Sequence, residues 1–496
     1  MGIHDGGGLT LINRVGLITA LMLSFQATAE SEFDLWMKQQ SDGFSSYQEK
    51  HDREFSSFLE ADWKAFQLNH GAKRDEVPKP VTLPTAPEPA VTKPTPNTPP
   101  ENLISVKERL TPVVNPPIKK QPPPSPEKTM VGERIDVDFL GSTLPLYLEK
   151  RVQISLGRSI DNKSIALFWD QISSSPYTPL IEQINAYRKT IEFNDWGTVQ
   201  LINALANTLY RPQSNEAHLF SWFLLVKSGY AARIGYTKNR IHLMLPSQTK
   251  LFGMPYFTYD KVRYYVITRK KGQDLGSVFS YEGSYPDATR KMNLYISNTP
   301  SLKVDKTEKV LRFNYANKQH EFSINYDKNA ARYFKNYPAT QLSVYFNATI
   351  SDSLKQSLLL PLGQLVEGKS EQEAVNILLR FVQTAFAYKT DDEQFGREKY
   401  FFPEELFLYD YSDCEDRSVL FAYLVKTLLG LEVVAVTFPG HVATAVHFSR
   451  DIAGASVKKE NKKYLIADPT YINANVGMIM PQFKSSAAKV ISISDI

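Results

Sequence analysis

A chain of 496 residues is too long for one small core and predicts two or three domains. Its 42% hydrophobic and 22% charged residues are ordinary for a globular protein, and a formal net charge of +4 gives no reason to expect nucleic acid as a partner. The single cysteine, Cys414, excludes internal disulfides as a source of stability.

Residues 1–29 have the features of a secretory signal peptide. Arg14 precedes an apolar run over residues 15–25, and Ala27-Thr28-Ala29 forms a cleavage signal before Glu30. The run is shorter than the ~20 apolar residues that cross a bilayer as a helix. The sequence therefore predicts a periplasmic or secreted protein with no transmembrane span after signal removal. A retained membrane anchor is the alternative.

Residues 30–70 carry a regular aromatic pattern. One set of aromatic residues recurs every eleven positions, and a second set follows it three positions behind. The first set is Phe33, Phe44, Phe55 and Phe66, and the second is Trp36, Tyr47 and Phe58. Because eleven residues make three turns, the pattern predicts one amphipathic helix with an aromatic stripe. The stripe could pack on the body of the protein, self-associate or bind a partner.

Residues 71–130 are rich in proline. More than half of the 30 prolines lie between Pro78 and Pro126. Polyproline-type segments have no core and are extended, so this region is predicted to be a disordered linker that could hold the aromatic helix away from the body.

Residues 131–351 are predicted to form a mixed α and β domain, and residues 352–496 an α+β domain in which helices precede antiparallel strands. In the first domain, the patterns predict helices at Trp196–Tyr210 and Ala217–Val226, a strand at Lys261–Ile267 and strands within 309–346, with Leu342, Val344 and Phe346 alternating. In the second, they predict helices at Gln372–Phe386 and from the Cys414 region to Leu429, and strands at Val433–Phe438, Val442–Phe448 and Lys463–Ala467.

A short sequence echo suggests an internal repeat. Leu225-Val226-Lys227 before Gly229 is similar to Leu424-Val425-Lys426 before Gly430. If the echo is a repeat, Asn215 stands where Cys414 does and the middle domain is an inactive copy. Chance similarity is the alternative.

Cys414 is predicted to lie in the first turn of a helix. Ser412 or Asp413 can cap this helix, and Ser412 has capping-box spacing to Glu415. A helix start lowers a thiol pKa and offers N–H donors to an oxyanion. The neighbouring acids oppose this effect, so Arg417, a protonated histidine or a bound Ca²⁺ is expected to compensate.

Two further side chains are candidates for thiol chemistry. His441 opens a strand after Gly440, whereas His447, on the same face about 20 Å away, is predicted to be structural. Asp468 ends the next strand before Pro469 and could orient an imidazole. Tyr409 and Tyr411 are the candidates for an upstream oxyanion donor.

The order of these residues resembles the transglutaminase-like superfamily, and Asp413-Cys414-Glu415-Asp416 resembles its periplasmic bacterial cysteine proteinases. The resemblance implies a papain-like fold for residues 352–496, with Cys414 as nucleophile, His441 as general base and Asp468 as orienting acid. It also implies Asp413, Glu415 and Asp416 as candidate calcium ligands. The chain departs from the family at Val442 and Ala443, where an aromatic often follows the histidine.

The expected function is that of an exported thiol hydrolase, a cysteine peptidase acting on amide bonds of cell-envelope proteins or peptides. Two alternatives are a non-catalytic peptide- or wall-binding scaffold and a protein-crosslinking transamidase. The aromatic helix and linker would recruit or tether the substrate.

Overall fold

A computed structural model describes residues 35–40, 43–67, 85–87, 104, 132–267, 277–300 and 303–493. The predicted signal peptide, Phe33 and most of the predicted linker lie outside this description. The described residues form helices and antiparallel sheets, which is the predicted α+β class. Across these ranges, no helix is both long enough and apolar enough to cross a membrane.

The described strands form a six-stranded sheet in the middle region, a five-stranded sheet in the C-terminal region and smaller two-stranded sheets, one of which is a long hairpin. The helices are α1 (residues 35–40 and 43–59), α2 (Asn162–Ser173), α3 (Thr178–Ile191), α4 (Asp195–Leu209), α5 (Asn215–Lys227), α6 (Lys328–Lys335), α7 (Leu342–Phe346), α8 (Asp352–Val366), α9 (Glu371–Thr384), α10 (Asp391–Phe395) and α11 (Cys414–Leu424). The strands are β1 (Lys64–Gln67), β2 (Glu133–Phe139), β3 (Ser142–Leu148), β4 (Arg233–Thr237), β5 (Arg240–Pro246), β6 (Tyr256–Tyr259), β7 (Val262–Val266), β8 (Ser277–Ser280), β9 (Lys306–Tyr315), β10 (Lys318–Asp327), β11 (Ala387–Tyr388), β12 (Tyr411–Ser412), β13 (Val433–Phe438), β14 (His441–Val446), β15 (Ser456–Lys459), β16 (Lys462–Ala467) and β17 (Lys489–Ser492).

Two of the predicted elements are wrong. The helix predicted over 30–70 ends at residue 59, and Phe66 lies on strand β1, paired with Val278 of β8. The alternating residues 342–346 form helix α7, in which three consecutive side chains from Val344 are buried. Over five residues, an apolar pattern does not separate a strand from one turn of a buried helix. The other predicted helices and strands are present, with ends shifted by a few residues.

The aromatic helix α1 packs on the body through its C-terminal half. Phe55 is 4% exposed and meets Trp169 edge to face, with ring centroids 4.7 Å apart. Leu59 is fully buried. Nearer the start of the helix, Trp36 and Phe44 are more than half exposed. Three possibilities were predicted for the aromatic stripe, and its C-terminal half shows one of them, packing on the body of the protein.

An ion pair fastens α1 to α5. The ammonium group of Lys227 donates to Asp52, and both side chains are less than one-tenth exposed. Lys227 also donates to the hydroxyl of Tyr285 at 2.8 Å and lies over the rings of Trp169 and Tyr177. The charge is thus held inside an aromatic cage, where one carboxylate balances it.

Removal of this carboxylate should loosen α1. We expect Asp52→Ala to lower the free energy of unfolding by about 3–5 kcal/mol, because it leaves an uncompensated buried charge on Lys227. The matched control is Lys50→Ala on the same helix, whose 3.9 Å pair with Glu54 is exposed and is expected to contribute less than ~1 kcal/mol. Urea unfolding of both variants measures the difference. Equal effects would contradict a buried anchor.

Two short pieces of the predicted linker contact the body. Ala86 donates its N–H to the carbonyl of Ile472, and Ile104 exchanges backbone hydrogen bonds with Gly368 and Lys369. Both side chains are buried. The described part of the linker is therefore docked, which differs from a spacer that keeps clear of the body.

The hairpin of β9 and β10 packs on α8 and α9. Phe381 of α9 meets Phe313 of β9 edge to face and lies tilted against Phe322 of β10, with centroid distances of 5.4 and 5.8 Å. The contacts of the C-terminal region therefore begin before residue 352, where the sequence placed its boundary.

The two larger sheets share one topology. Within the described residues, the middle sheet has the order β8-β4-β5-β7-β6, with β1 added at its β8 edge, and the C-terminal sheet has the order β17-β13-β14-β16-β15. Every neighbouring pair in both sheets is antiparallel. A helix packs on each, α5 on β5 and α11 on β14. This is the arrangement that the predicted repeat would produce.

The matching topology sets positions in correspondence. Asn215 opens α5 as Cys414 opens α11. In the first hairpin of each sheet, Arg240 pairs with Thr237 as His441 pairs with Phe438, after a connection of two residues in each case. The middle sheet thus carries asparagine and arginine where the C-terminal sheet carries cysteine and histidine, which agrees with the hypothesis of an inactive copy.

Candidate functional site

Helix α11 begins at Cys414, as predicted, and its cap is Asp413, one of the two predicted residues, but Ser412 and Glu415 do not form the capping box that their spacing suggested. Asp413 is the N-cap residue and forms the reciprocal capping pair with Asp416, whose carboxylate accepts the Asp413 N–H at 3.4 Å. Ser412, predicted to pair with Glu415, instead accepts a hydrogen bond from Arg417 at 3.1 Å. Asp416, the third acid of the motif, is therefore part of the helix cap, and the side chain of Glu415 makes a different contact.

That contact is with the thiol. The Cys414 sulfur donates to the Glu415 carboxylate, with Sγ and Oε2 2.9 Å apart, and the side chain is 3% exposed. Burial, followed by the nearby charges of Glu415 and Asp413, raises the pKa of Cys414 well above its ordinary value, while the backbone N–H of Val442 opposes this. In this geometry the thiol donates its proton toward Glu415, and the opposing effect predicted for the neighbouring acids outweighs that of the helix start.

His441 and Asp468 form a buried pair. His441 Nε2 lies 2.8 Å from Asp468 Oδ2, and both side chains are at most 3% exposed. Thr470 donates to the other carboxylate oxygen from its hydroxyl at 2.7 Å and its backbone N–H at 2.9 Å. Burial alone raises the pKa of Asp468, but His441 and Thr470 outweigh it and hold that pKa below its ordinary value. The carboxylate is therefore ionised and fixes the ring.

The pair also has a stacked neighbour. The Phe483 ring lies parallel to the His441 ring, at an angle of 2° and a centroid distance of 5.1 Å. Because Asp468 takes Nε2, Nδ1 is the nitrogen left for another group. His447 bonds the backbone carbonyl of Lys463 at 2.9 Å, in keeping with the structural role predicted for it.

Val442 connects the helix to the strand that His441 opens. Its N–H faces the Cys414 sulfur, and its carbonyl accepts the hydroxyl of Ser418, one turn along α11, at 3.2 Å. The sulfur thus lies at the residue that follows His441, near the start of β14. Among the described residues, the hydrogen bonds of the sulfur go to Glu415 and to Val442, and none goes to His441.

In the middle sheet, a similar hydrogen bond joins the helix to the strand, but it comes from an asparagine side chain and not from a thiol. Asn215 Oδ1 accepts the backbone N–H of Ile241 at 2.9 Å, as the Cys414 sulfur faces the N–H of Val442. His218 bonds the carbonyl of Ile241 at 2.7 Å. The helix and strand are therefore joined in the same way at both places, with an amide replacing the thiol.

Buried acids surround the sulfur, and one of them was missed in the sequence. Asp391, Asp413 and Asp416 each offer an oxygen, and these oxygens lie within 4.8 Å of one another. Glu415 is fully buried beside them. Asp391 opens the short helix α10, where an acid in the first turn is so common that nothing in the sequence singled it out. Two of the three predicted ligands, Asp413 and Asp416, thus lie in one group with Asp391.

The acids of this carboxylate cluster are buried close to one another. Burial, then neighbouring acids, raises the pKa values of Asp413 and Asp416 well above their ordinary range, and burial also raises that of Glu415. Arg417 is buried and near the cluster, but its hydrogen bonds go to Ser412 and to the carbonyls of Gln383 and Phe386. Asp413 Oδ1 and Glu415 Oε1 are buried without a hydrogen bond in the described structure.

The donor set fits a hard cation. Ca²⁺ binds carboxylate and backbone oxygens, and an additional positive charge would offset the repulsion among these buried acids. Asp391, Asp413 and Asp416 are the residues that would hold such an ion.

Neither tyrosine suggested as an oxyanion donor lies at the sulfur. Tyr411 is 42% exposed, and Tyr409 stacks on Phe401 at 4.7 Å. Instead, Tyr388 of β11 pairs with Ser412, two residues before Cys414. Burial, then the nearby Cys414, raises the pKa of Tyr388, so its hydroxyl stays protonated beside the thiol. The short parallel pairing of β11 and β12 creates this proximity.

Comparison with models of protein families found no match for this chain. Searches of curated proteins and of solved structures also found no significant match.

Proposed function

We propose that the protein is an exported thiol hydrolase of the transglutaminase-like type, a cysteine peptidase that cleaves amide bonds of cell-envelope proteins or peptides. The observation that carries the proposal is the buried hydrogen bond of 2.8 Å between His441 Nε2 and Asp468 Oδ2, at the sheet end where Val442 faces the Cys414 sulfur. A carboxylate–imidazole pair beside a thiol at a helix start is the arrangement that nucleophilic catalysis needs.

In the proposed reaction, His441 Nδ1 takes the proton of Cys414 and the thiolate attacks the amide carbonyl. The imidazolium then gives that proton to the departing amine as the C–N bond breaks and a thioester remains. Water, deprotonated by His441, hydrolyses the thioester and restores the thiol. Asp468 holds the ring in one tautomer and stabilises the imidazolium. Water as the final acceptor distinguishes this reaction from the transamidase alternative.

The sulfur must leave Glu415 before it can reach His441. The hydrogen bond of 2.9 Å from the sulfur to Glu415 is the contact that this first step breaks. A calcium ion, if held by Asp391, Asp413 and Asp416, would supply positive charge that lowers the pKa of the nearby thiol. The fold places those carboxylate oxygens together at the start of α11.

The second candidate is a peptide- or wall-binding scaffold without catalysis. The hydrogen bond of 2.9 Å between the thiol and Glu415 favours it, because a permanently protonated sulfur is a poor nucleophile. A buried carboxylate–imidazole pair at the same sheet end as the thiol favours catalysis instead, so hydrolysis is the preferred function.

The proposal is tested by iodoacetamide labelling of Cys414 against pH in the purified chain, with millimolar calcium present. We expect labelling to persist below the ordinary thiol pKa of ~8.5 and to slow by about tenfold or more in His441→Ala. His447→Ala is the matched control and should label as the wild type does. The quantity to compare is the ratio of labelling rates between variants, because the burial of the sulfur slows labelling in all of them. Equal rates in His441→Ala would point to the scaffold.

A further inference from the structure

We propose that the surface beside Asp468 on which Ala86 lies is a binding site for extended polypeptide, and that the chain's own linker occupies it in cis. The inference rests on the proposed function and names its substrate class, an extended peptide with a small apolar side chain at the buried position. It starts from the docked residues Thr85, Ala86 and Pro87.

The backbone of this segment is paired with the protein. Thr85 forms an isolated parallel bridge with Ile472, and the N–H of Ala86 donates to the carbonyl of Ile472 at 2.8 Å. Main-chain pairing of this kind is one of the common modes of peptide recognition, and it does not depend on the sequence of the guest. Any extended peptide can therefore make the same contact.

The side chain of Ala86 supplies the selectivity. It is 2% exposed and belongs to the same buried cluster as Tyr471, Phe438 and Phe483. Thr85 and Pro87 on either side are exposed. Since a larger side chain at the middle position would have to displace aromatic rings, the site selects a small residue there and tolerates varied flanking residues.

The position of the segment connects it with the catalytic candidates. Ile472 lies in the loop that follows Asp468, and Gln383 fixes this loop by donating to the carbonyls of Asp468 and Tyr471 at 3.1 and 2.8 Å. Phe483, from the cluster around Ala86, stacks on His441. A peptide bound here lies next to the His441–Asp468 pair.

The linker is suited to be a replaceable guest. Pro84 and Pro87 flank the paired residues and have no N–H to extend the pairing. The segment belongs to the same chain as the site, and Ile104, bonded to Gly368 and Lys369, attaches a second point of the linker to the body. Such a tether gives an effective concentration in the millimolar range, so a competing peptide binds more weakly while the linker is docked.

The test measures binding of a fluorescein-labelled synthetic peptide with the sequence of residues 80–92 by fluorescence anisotropy. It compares the full chain without its predicted signal peptide, its Ala86→Arg variant and an Ala90→Arg variant that changes another alanine of the same linker. We expect Ala86→Arg to bind the peptide at least about tenfold more tightly than the wild type, because the competing cis segment is displaced. Ala90→Arg should behave as the wild type does.

Two further measurements make the result specific. The peptide carrying Ala86→Arg should fail to compete, and Ala86→Asp should reproduce the effect of Ala86→Arg. Equal affinity for all three proteins, or no binding to Ala86→Arg, would overturn the proposal. The measurement does not use catalysis, so an inert Cys414 with intact peptide binding would remove only the hydrolase proposal, and a reactive Cys414 without this binding would remove only the peptide site.

Discussion

Asp468→Asn is expected to lower the hydrolysis of p-nitrophenyl acetate by about two to four orders of magnitude, the range found when the orienting acid of such a triad is replaced. The carboxylate accepts from His441 Nε2 and is itself held by two hydrogen bonds from Thr470. An amide can bond the ring in the wrong tautomer and cannot stabilise an imidazolium. Release of p-nitrophenolate reports both acylation and turnover of the thiol.

The control for this variant is Asp451→Asn, whose carboxylate pairs with Lys463 at 2.6 Å and is largely exposed. It should keep the wild-type rate. Thr470→Val should lower the rate less than Asp468→Asn does, because the carboxylate loses one donor and keeps the backbone N–H. An Asp468→Asn protein with an unchanged rate would show that the buried pair has only a structural role.

Calcium is expected to stabilise the protein and to speed the labelling of Cys414, and both effects should be lost in Asp391→Asn. At a calcium concentration 100 times the Kd, the free energy of unfolding should rise by about 2.7 kcal/mol. The cause is the group of buried oxygens of Asp391, Asp413 and Asp416, which lie within 4.8 Å of one another. Thermal melting with calcium or with chelator measures the stability, and iodoacetamide measures the thiol.

The stabilisation should depend on pH in one direction. The folded-state pKa values of Asp413 and Asp416 are raised above the unfolded values of about 3.9, so without an ion these groups subtract stability as pH rises above ~4. Calcium should therefore stabilise more at pH 8 than near pH 5. Asp392→Asn, the next residue of α10, is the matched control. An ion effect that survives Asp391→Asn would place the cation elsewhere.

The sequence predicted much of the C-terminal region because its signals are local. Strand β13 begins and ends where the apolar run Val433–Phe438 does, and α11 begins at Cys414 behind its acidic cap. The same reasoning placed His441 at a strand start and Asp468 just after a strand end. Periodicity, capping and proline are readable in a window of a few residues.

Predictions failed where a local sequence pattern was compatible with more than one structure, and contacts with distant residues decided between them. The eleven-residue aromatic spacing continues to Phe66, but the chain leaves the helix after residue 59 so that β1 can pair with β8. Ser412 and Glu415 have capping spacing, yet contacts with Arg417 and with the Cys414 sulfur decide their orientation. Spacing along the chain does not contain these partners.

The sequence by itself determined the bounds of β13, the position of the thiol at a helix start and the two side chains that form the buried pair. Only the tertiary structure decided that Asp391 joins the acids, that Glu415 holds the thiol protonated, that Tyr388 is the tyrosine beside it and that Ala86 docks near Asp468. The physical reason is the distance along the sequence between the residues that interact. Helix caps and strand periods depend on neighbours in the chain, whereas burial and charge compensation depend on residues that only the folded chain brings together.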